Sequence, residues 1–321
     1  MEISKTEREI TDLPNDGFTR ISFSQSEDFL LASSWDNSIS LYNTSSGLLS
    51  TRYSSNASLL DSAFISSDLC TFGGLERHIG LYNFSRNEYK SLGTHEDTIR
   101  TLRFSSRFGL IISGSWDRTI RTWDPRAQVY WTGTTSMPGK VYSMALSDSQ
   151  CYLVISTDKK DLLLYDLRNM NEAVDKRESP LKYQTRCIEV NPNGLSYALG
   201  SIEGRVGIEF FNPAPEIQAK AYAFKCHRKE DMGNVIVYPV NAIAYNPVTG
   251  TFATGGSDSF VNVWDGDNKK RIWKLRQYPS AVASLAFNSN GKQLAIACSY
   301  MYEEGDIPNQ PPIKLFIKDF N

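Results

Sequence analysis

The sequence predicts an all-β fold, a seven-bladed β-propeller. Three observations carry this: a repeat with a period near 40 residues, an alternating segment ahead of each copy, and a last strand that needs a partner from the start of the chain. The repeat is an apolar run, small residues, an acidic residue, and an alternating stretch ending on an aromatic. It reads LLASSWDNSISLYN at 30–43, LCTFGGLERHIGLYN at 69–83 and LIISGSWDRTIRTWD at 110–124. It returns as YLVISTDKKDLLLYD at 152–166, SYALGSIEGRVGIEFFN at 196–212 and TFATGGSDSFVNVWD at 251–265. The acidic positions Asp36, Glu76, Asp117, Asp158, Glu203 and Asp258 are spaced by 40, 41, 41, 45 and 55 residues. The last spacing implies an insertion around Asn212–Tyr238.

The segments TRISFS, LLDSAFI, TIRTLRF, KVYSMAL, TRCIEV, VNAIAY and AVASLAF each precede a copy, the last preceding QLAIACSY at 293–300. They alternate or nearly alternate, which is the period of a strand and not of a helix. Seven units of four strands make a propeller. The seventh unit has three strands of its own, ending in IKLFIKDF beyond the break at Pro308, Pro311 and Pro312. The segment from Glu2 to Ile10 is expected to supply the fourth, leaving no open edge between the first and last blades. Trp123-Asp124 and Trp264-Asp265 match the WD-repeat ending, and Tyr42-Asn43, Tyr82-Asn83 and Tyr165-Asp166 are weaker versions. The Gly-His half of that signature is nearly absent; Gly93-Thr94-His95 is its closest trace. The expectation is a seven-bladed WD-repeat β-propeller closed by its N-terminal strand, with residues 1–321 as a single domain.

Composition narrows function by exclusion. Hydrophobic residues are 40% and charged residues 22%, which is globular material. Net charge is -2, so nothing general draws the chain to nucleic acid or membrane, and any anion site must be local. No apolar run approaches a membrane span of about 18 residues, and MEISKTEREI has no apolar core of a secretory leader. Cys70, Cys151, Cys187, Cys226 and Cys298 are scattered, as are His78, His95 and His227. That pattern suits reduced thiols in cytosol or nucleus, with no metal centre and no cofactor.

Strands in a blade run up and down, so the turn between the second and third strands shares a face with the loop entering the next blade. Trp35 in SSWDNS and Trp116 in GSWDRT lie in such turns, and Arg186 opens the inner strand of blade five on the same face. Arg205 begins the third strand of blade five and Lys225 lies near the end of its fourth. Antiparallel pairing makes these two neighbours at one rim, and Arg228 and Lys229 extend the positive patch. An Arg fork with a Lys charge on rigid strands suits phosphate or carboxylate, and a phosphorylated partner fits its charge. Exposed tryptophans suit peptide anchoring.

Each feature has a plainer reading. The acidic turn residues are expected to cap turns, and Trp123 and Trp264 to pack between blades. Trp35 and Trp116 could serve recognition or turn packing. Arg205 and Lys225 could simply pair with Glu203 or Glu209. Glu203 alone is weak evidence for an enzyme, GGSD at 255–258 and GSIEGR lack P-loop spacing, and Lys269-Lys270-Arg271 reads as a solvated turn.

Several blocks together resemble the small WD-repeat propeller of the "budding uninhibited by benzimidazoles" spindle-checkpoint family. They are DLRNM (166–170), KYQTRCI (182–188), SIEGRVGIEF (201–210), YAFKCHR (222–228), YPVNAI (238–243), FATGGSDSFVNVWD (252–265), SLAF (284–287) and LAIACSYMYE (294–303). SSWDNS (33–38) and GSWDRTIRTWDPR (114–126) extend the resemblance into the first half. Asn43 and Asn83 depart from the aspartate of the WD ending, and Gly207 and Phe210 from the commoner residues beside the phosphate-binding Arg.

The resemblance implies a scaffold without catalytic residues, monomeric within a complex, working in the nucleus and at kinetochores in mitosis. It implies binding of the acidic GLEBS motif of checkpoint kinases and related checkpoint proteins through Trp35, Trp116 and Arg186. It implies reading of phosphorylated Met-Glu-Leu-Thr repeats on a kinetochore scaffold, with Arg205 and Lys225 on the phosphothreonine. The nearest rival is the nuclear-pore mRNA-export propeller, which also binds a GLEBS segment; a longer N-terminal extension and the residues SYMYE and FATGGSD separate the two. An enzyme using the central cavity is disfavoured by the scarcity of histidine and the lack of a carboxylate pair. A ubiquitin-ligase adaptor is neither supported nor opposed.

Overall fold

Alternation along each predicted segment does form strands, and the turns between them explain where they stop. In five copies the residue after the acid is left-handed: Asn37 (φ 71°), Arg77 (68°), Arg118 (64°), Gly204 (61°) and Ser259 (65°). For a side chain with a Cβ this costs about 1–2 kcal/mol. The acid offsets it by accepting the backbone N–H two residues on: Ser38 N to Asp36 Oδ1 at 3.0 Å, Thr119 N to Asp117 Oδ1 at 2.9 Å, Phe260 N to Asp258 Oδ1 at 3.2 Å. Asp36, Asp117 and Asp258 cap their turns, as the plainer reading holds; Asp158 instead accepts Lys140 N–H at 3.1 Å, from the loop entering its blade.

The computed structural model describes residues 3–26 and 28–320, so the expected strand residue Glu2 lies outside the described residues. Among the described residues the strands form seven four-stranded sheets and one two-stranded ribbon. Six sheets use consecutive strands, over 18–54, 59–94, 99–136, 141–178, 185–225 and 240–274. The seventh orders Ile3–Glu9, Lys314–Phe320, Gln293–Cys298 and Val282–Phe287, so the first strand of the chain is its outer strand. The register sets Ile3 against Phe320 and Glu9 against Phe316. The ring is closed in the way the C-terminal shortage of strands implies. The blade-five insertion is a one-turn helix, Pro215–Gln218, and a ribbon of Arg228–Asp231 against Asn234–Val237.

Apolar side chains fill the gaps between neighbouring blades. Ala145, Val154 and Leu162 of blade four meet Ile188, Tyr197 and Leu199 of blade five. Leu315 and Ile317 of the last blade meet Phe18, Ile21 and Leu30 of the first. Each such side chain contributes roughly 1.5–3 kcal/mol by burial, so the core is distributed around the ring. Trp123 and Trp264 take part in this inter-blade packing.

The inner strands share one further feature. In all seven the pairing with the second strand skips one residue at the same place. The skipped residues are Thr19, Leu60, Arg100, Tyr142, Arg186, Asn241 and Ala283. A skipped residue leaves the ladder and re-aims its side chain. Six of the seven line one cleft of about 200 Å³ at the mouth of the axial channel.

Candidate functional site

The turn residues Trp35 and Trp116 are held alike. Trp35 N–H donates to Gly17 O at 3.0 Å and Trp116 N–H to Thr98 O at 2.9 Å, pinning each turn to the loop that enters its own blade. Trp35 is 43% exposed. Trp116 is half-buried beside Tyr142, with the Lys140 ammonium 5.5 Å from its ring centroid, and its indole N–H has no partner among the described residues. Both rings line the 200 Å³ cleft together with Arg186 and Met301. Spacing put the three named residues on one face; the fold brings them to one cleft from blades one, three and five. Arg100, which sequence reading passed over, lines it too.

At the rim of blade five, Arg205 and Lys225 are direct register partners on adjacent antiparallel strands. Directly opposite residues point to the same side, and like charges so placed repel. Glu203 offers partial relief: its Oε2 lies 3.5 Å from Arg205 Nε. Lys225 is exposed and makes no ion pair among the described residues. Glu209 is not available to either, being 3.7 Å from Arg177. Burial pushes its carboxyl above the usual range, with Arg177 pulling it back. Arg228 stands beside the pair, half-buried and without an ion pair among the described residues. Its Nη2 donates to Glu203 O at 2.8 Å, bracing the turn that carries Arg205. Lys229 is exposed. The pair is therefore rigid, solvent-facing and only partly neutralised, which suits a doubly charged group.

Two histidines taken as isolated are not isolated in space. His95 Nδ1 lies 2.8 Å from Asp117 Oδ2 and His95 Nε2 lies 2.7 Å from Ser113 Oγ, which accepts Trp123 Nε1–H at 2.8 Å. Blade six repeats this: His227 Nδ1 to Asp258 at 2.7 Å, His227 Nε2 to Thr254 Oγ1 at 2.8 Å, and Trp264 Nε1–H to the same hydroxyl at 2.9 Å. Burial lowers the His95 pKa, against the pull of Asp117, so its imidazole is neutral. A proton on Nδ1 then satisfies every member, from indole through hydroxyl and imidazole to carboxylate. Burial acts to raise the Asp117 carboxyl, but bonds from His95 and Thr119 outweigh it and hold it well below the usual range. These networks join turn, inter-blade loop and third strand. They are girders, and among the described residues no His, Cys, Asp and Glu gather in a metal-holding group.

Comparison with known proteins fits this geometry. The WD domain, G-beta repeat family matches residues 9–43, 86–124 and 233–265, and the last two segments end on the Trp-Asp pairs of the two networked blades. The chain is 44% identical to the mitotic checkpoint protein BUB3.1 of Arabidopsis thaliana over 98% of its own length and 93% of that protein's. It belongs to the BUB3 family of mitotic checkpoint proteins. The mitotic checkpoint protein bub3 of Dictyostelium discoideum is 38% identical over 95% of this chain and 92% of that one. The Poly(A)+ RNA export protein of Schizosaccharomyces pombe is 29% identical over 94% of this chain and 86% of that one. The solved structure of U3-55K matches with a TM-score of 0.82 over 98% of both chains at 15% identity, a likeness of fold alone. WD-repeat propellers of the BUB3 kind are protein-interaction scaffolds, and the family places this chain in the mitotic spindle checkpoint.

Proposed function

We propose that this chain is a non-catalytic scaffold of the spindle assembly checkpoint that holds two peptides at two separate places. The cleft of Trp35, Trp116 and Arg186 takes an acidic GLEBS segment of a checkpoint kinase or related checkpoint protein. Arg205 and Lys225 take the phosphothreonine of Met-Glu-Leu-Thr repeats on a kinetochore scaffold. The chain thereby recruits checkpoint proteins to unattached kinetochores from the nucleus, as one propeller unit within a larger complex. The direct register pairing of Arg205 with Lys225 is the observation that carries the second site. The convergence of two tryptophans and an arginine from three blades on one cleft supports the first.

Titration with phosphorylated and unphosphorylated Met-Glu-Leu-Thr peptides tests the rim. Charge-assisted bonds are worth about 1.5–3 kcal/mol each, so Arg205→Ala or Lys225→Ala should weaken phosphopeptide binding about tenfold or more. Equal affinity for the two peptides refutes the reading. Trp35→Ala and Arg186→Ala should each abolish capture of a GLEBS peptide with an unchanged circular dichroism spectrum. The second reading, a GLEBS-binding mRNA-export factor, draws on the 29% identity to the RNA export protein. The higher identity to checkpoint relatives favours the first. Co-purification from mitotic cells separates them: checkpoint kinase and kinetochore scaffold on one side, nucleoporin on the other.

A further inference from the structure

The ring of skipped residues places two arginines, Arg100 from blade three and Arg186 from blade five, at the axis. Both line the mouth cleft and also a smaller chamber of about 60 Å³ directly below it. Four arginines and two carboxylates wall that chamber. The carboxylates are already committed. Asp61 lies 3.1 Å from Arg103 and 3.9 Å from Arg20, and Glu189 lies 3.8 Å from Arg20. Arg100 and Arg186 make no hydrogen bond or ion pair among the described residues. Burial pushes the Arg100 guanidinium below its ordinary value; Asp61 acts against this, while Arg186 and Arg20 add to it. Two half-buried cations that feel each other, with no direct ion pair of their own, are a seat an anion can join.

The skipped residue of blade six supplies a second requirement. Asn241 is 8% exposed. Its Nδ2 donates to Ser257 Oγ at 3.0 Å and to Val282 O at 3.1 Å, which fixes the amide's orientation. Its Oδ1 is buried without a donor among the described residues. Asn241 lines the same two cavities as Arg100 and Arg186. A ligand suited to this chamber brings negative charge for two guanidiniums and a hydrogen-bond donor for one amide oxygen. Size is bounded as well. A water needs about 10–15 Å³ of such volume, so 60 Å³ holds roughly five non-hydrogen atoms.

We propose that the chamber below the mouth of the axial channel binds one inorganic hydrogen phosphate ion, its oxygens on Arg100 and Arg186 and its P–OH donating to Asn241 Oδ1. The ion has five non-hydrogen atoms, and its charge near -2 matches the surplus of two cations. It is distinct from the rim pair, which lies on the outer strands of blade five. The proposal does not rest on the peptide reading, though Arg186 serves both.

Calorimetric titration with sodium phosphate, in chloride at constant ionic strength, tests it. The Arg205→Ala/Lys225→Ala protein is used so that the rim cannot contribute. One ion should bind per chain, and sulfate, which has the shape without the proton, should bind at least tenfold more weakly. Free phosphothreonine, a bulkier dianion without a P–OH at neutral pH, should not compete. Arg100→Gln should lose the binding while remaining folded, since it removes an unpaired charge. Asn241→Leu should erase the preference over sulfate. Three results would overturn the proposal: no saturable heat, sulfate binding as well as phosphate, or unchanged binding in Arg100→Gln. The comparison of the two ions needs no channel variant, so it decides even if those variants misfold.

Discussion

Ser113→Ala isolates the girder of blade three. The hydroxyl lies 2.7 Å from His95 Nε2 and accepts Trp123 Nε1–H at 2.8 Å. Ser113 is fully buried and Trp123 is 2% exposed, so water cannot replace the lost oxygen. The change strands one acceptor and one donor. An unsatisfied buried polar group costs about 1–3 kcal/mol, which gives about 2–6 kcal/mol for the two. The methyl group needs no hydrogen bond of its own, which places the expected loss in the lower half, about 2–4 kcal/mol. Urea unfolding followed by tryptophan fluorescence measures it, with Trp123 itself a reporter. Ser113→Thr keeps the oxygen and copies Thr254 of blade six, so it should recover most of the loss. Thr254→Val should reproduce the loss in blade six. Ser113→Ala within 0.5 kcal/mol of the parent, or Ser113→Thr as unstable as Ser113→Ala, would refute the satisfaction argument.

Three other outcomes follow from the same structure. Because His95 is held neutral, the unfolded chain takes up a proton that the native one refuses. Stability should be full above pH 6.5, the ordinary histidine value, and fall as pH drops below it; His95→Gln should flatten that slope in urea titrations at pH 7.5 and 5.5. Gly204→Ala puts a Cβ 2.8 Å from Cys226 O at a φ of 61°, so it should destabilise by about 2 kcal/mol or more and weaken phosphopeptide binding by moving Arg205. Deleting residues 3–9 removes the outer strand of the last blade together with Glu7, which accepts Tyr278 Oη–H at 2.8 Å and pairs with Arg276. The truncated chain should elute as aggregates in gel filtration, ahead of the full chain.

The ring was legible because its period is set by strand alternation and turn chemistry, both local. The acid-to-acid spacing located six turns, and the three-strand remainder at 282–320 demanded the closing strand. The rim pair was legible through antiparallel register: Arg205 and Lys225 follow from counting back along two strands. The girders were not seen, although a signal was present. Blades three and six alone carry a hydroxyl four residues before the acid, Ser113 and Thr254, where others have Ala32, Phe72, Val154 and Leu199. They alone carry Trp six residues after it. His95 precedes its partner by 22 residues but His227 by 31, because the ribbon 228–237 intervenes, and that difference hid their equivalence. The bracing role of Arg228 was not legible, because sequence shows charge but not which backbone oxygen will take its hydrogen bond. Arg100 needed coordinates outright: a skipped residue inverts the in-out pattern for one position, and alternation cannot reveal which way it turns.

The closing strand also has a consequence for biosynthesis. Residues 3–9 have no partner until residues 314–320 exist. At about 5–20 residues per second, translation leaves that first segment waiting about 15–60 seconds. Six blades can assemble meanwhile, yet the circle stays open at both rims, with bare backbone on each side of the gap. Those unpaired edges are the kind that invite pairing with other chains until the opening residues find their mate.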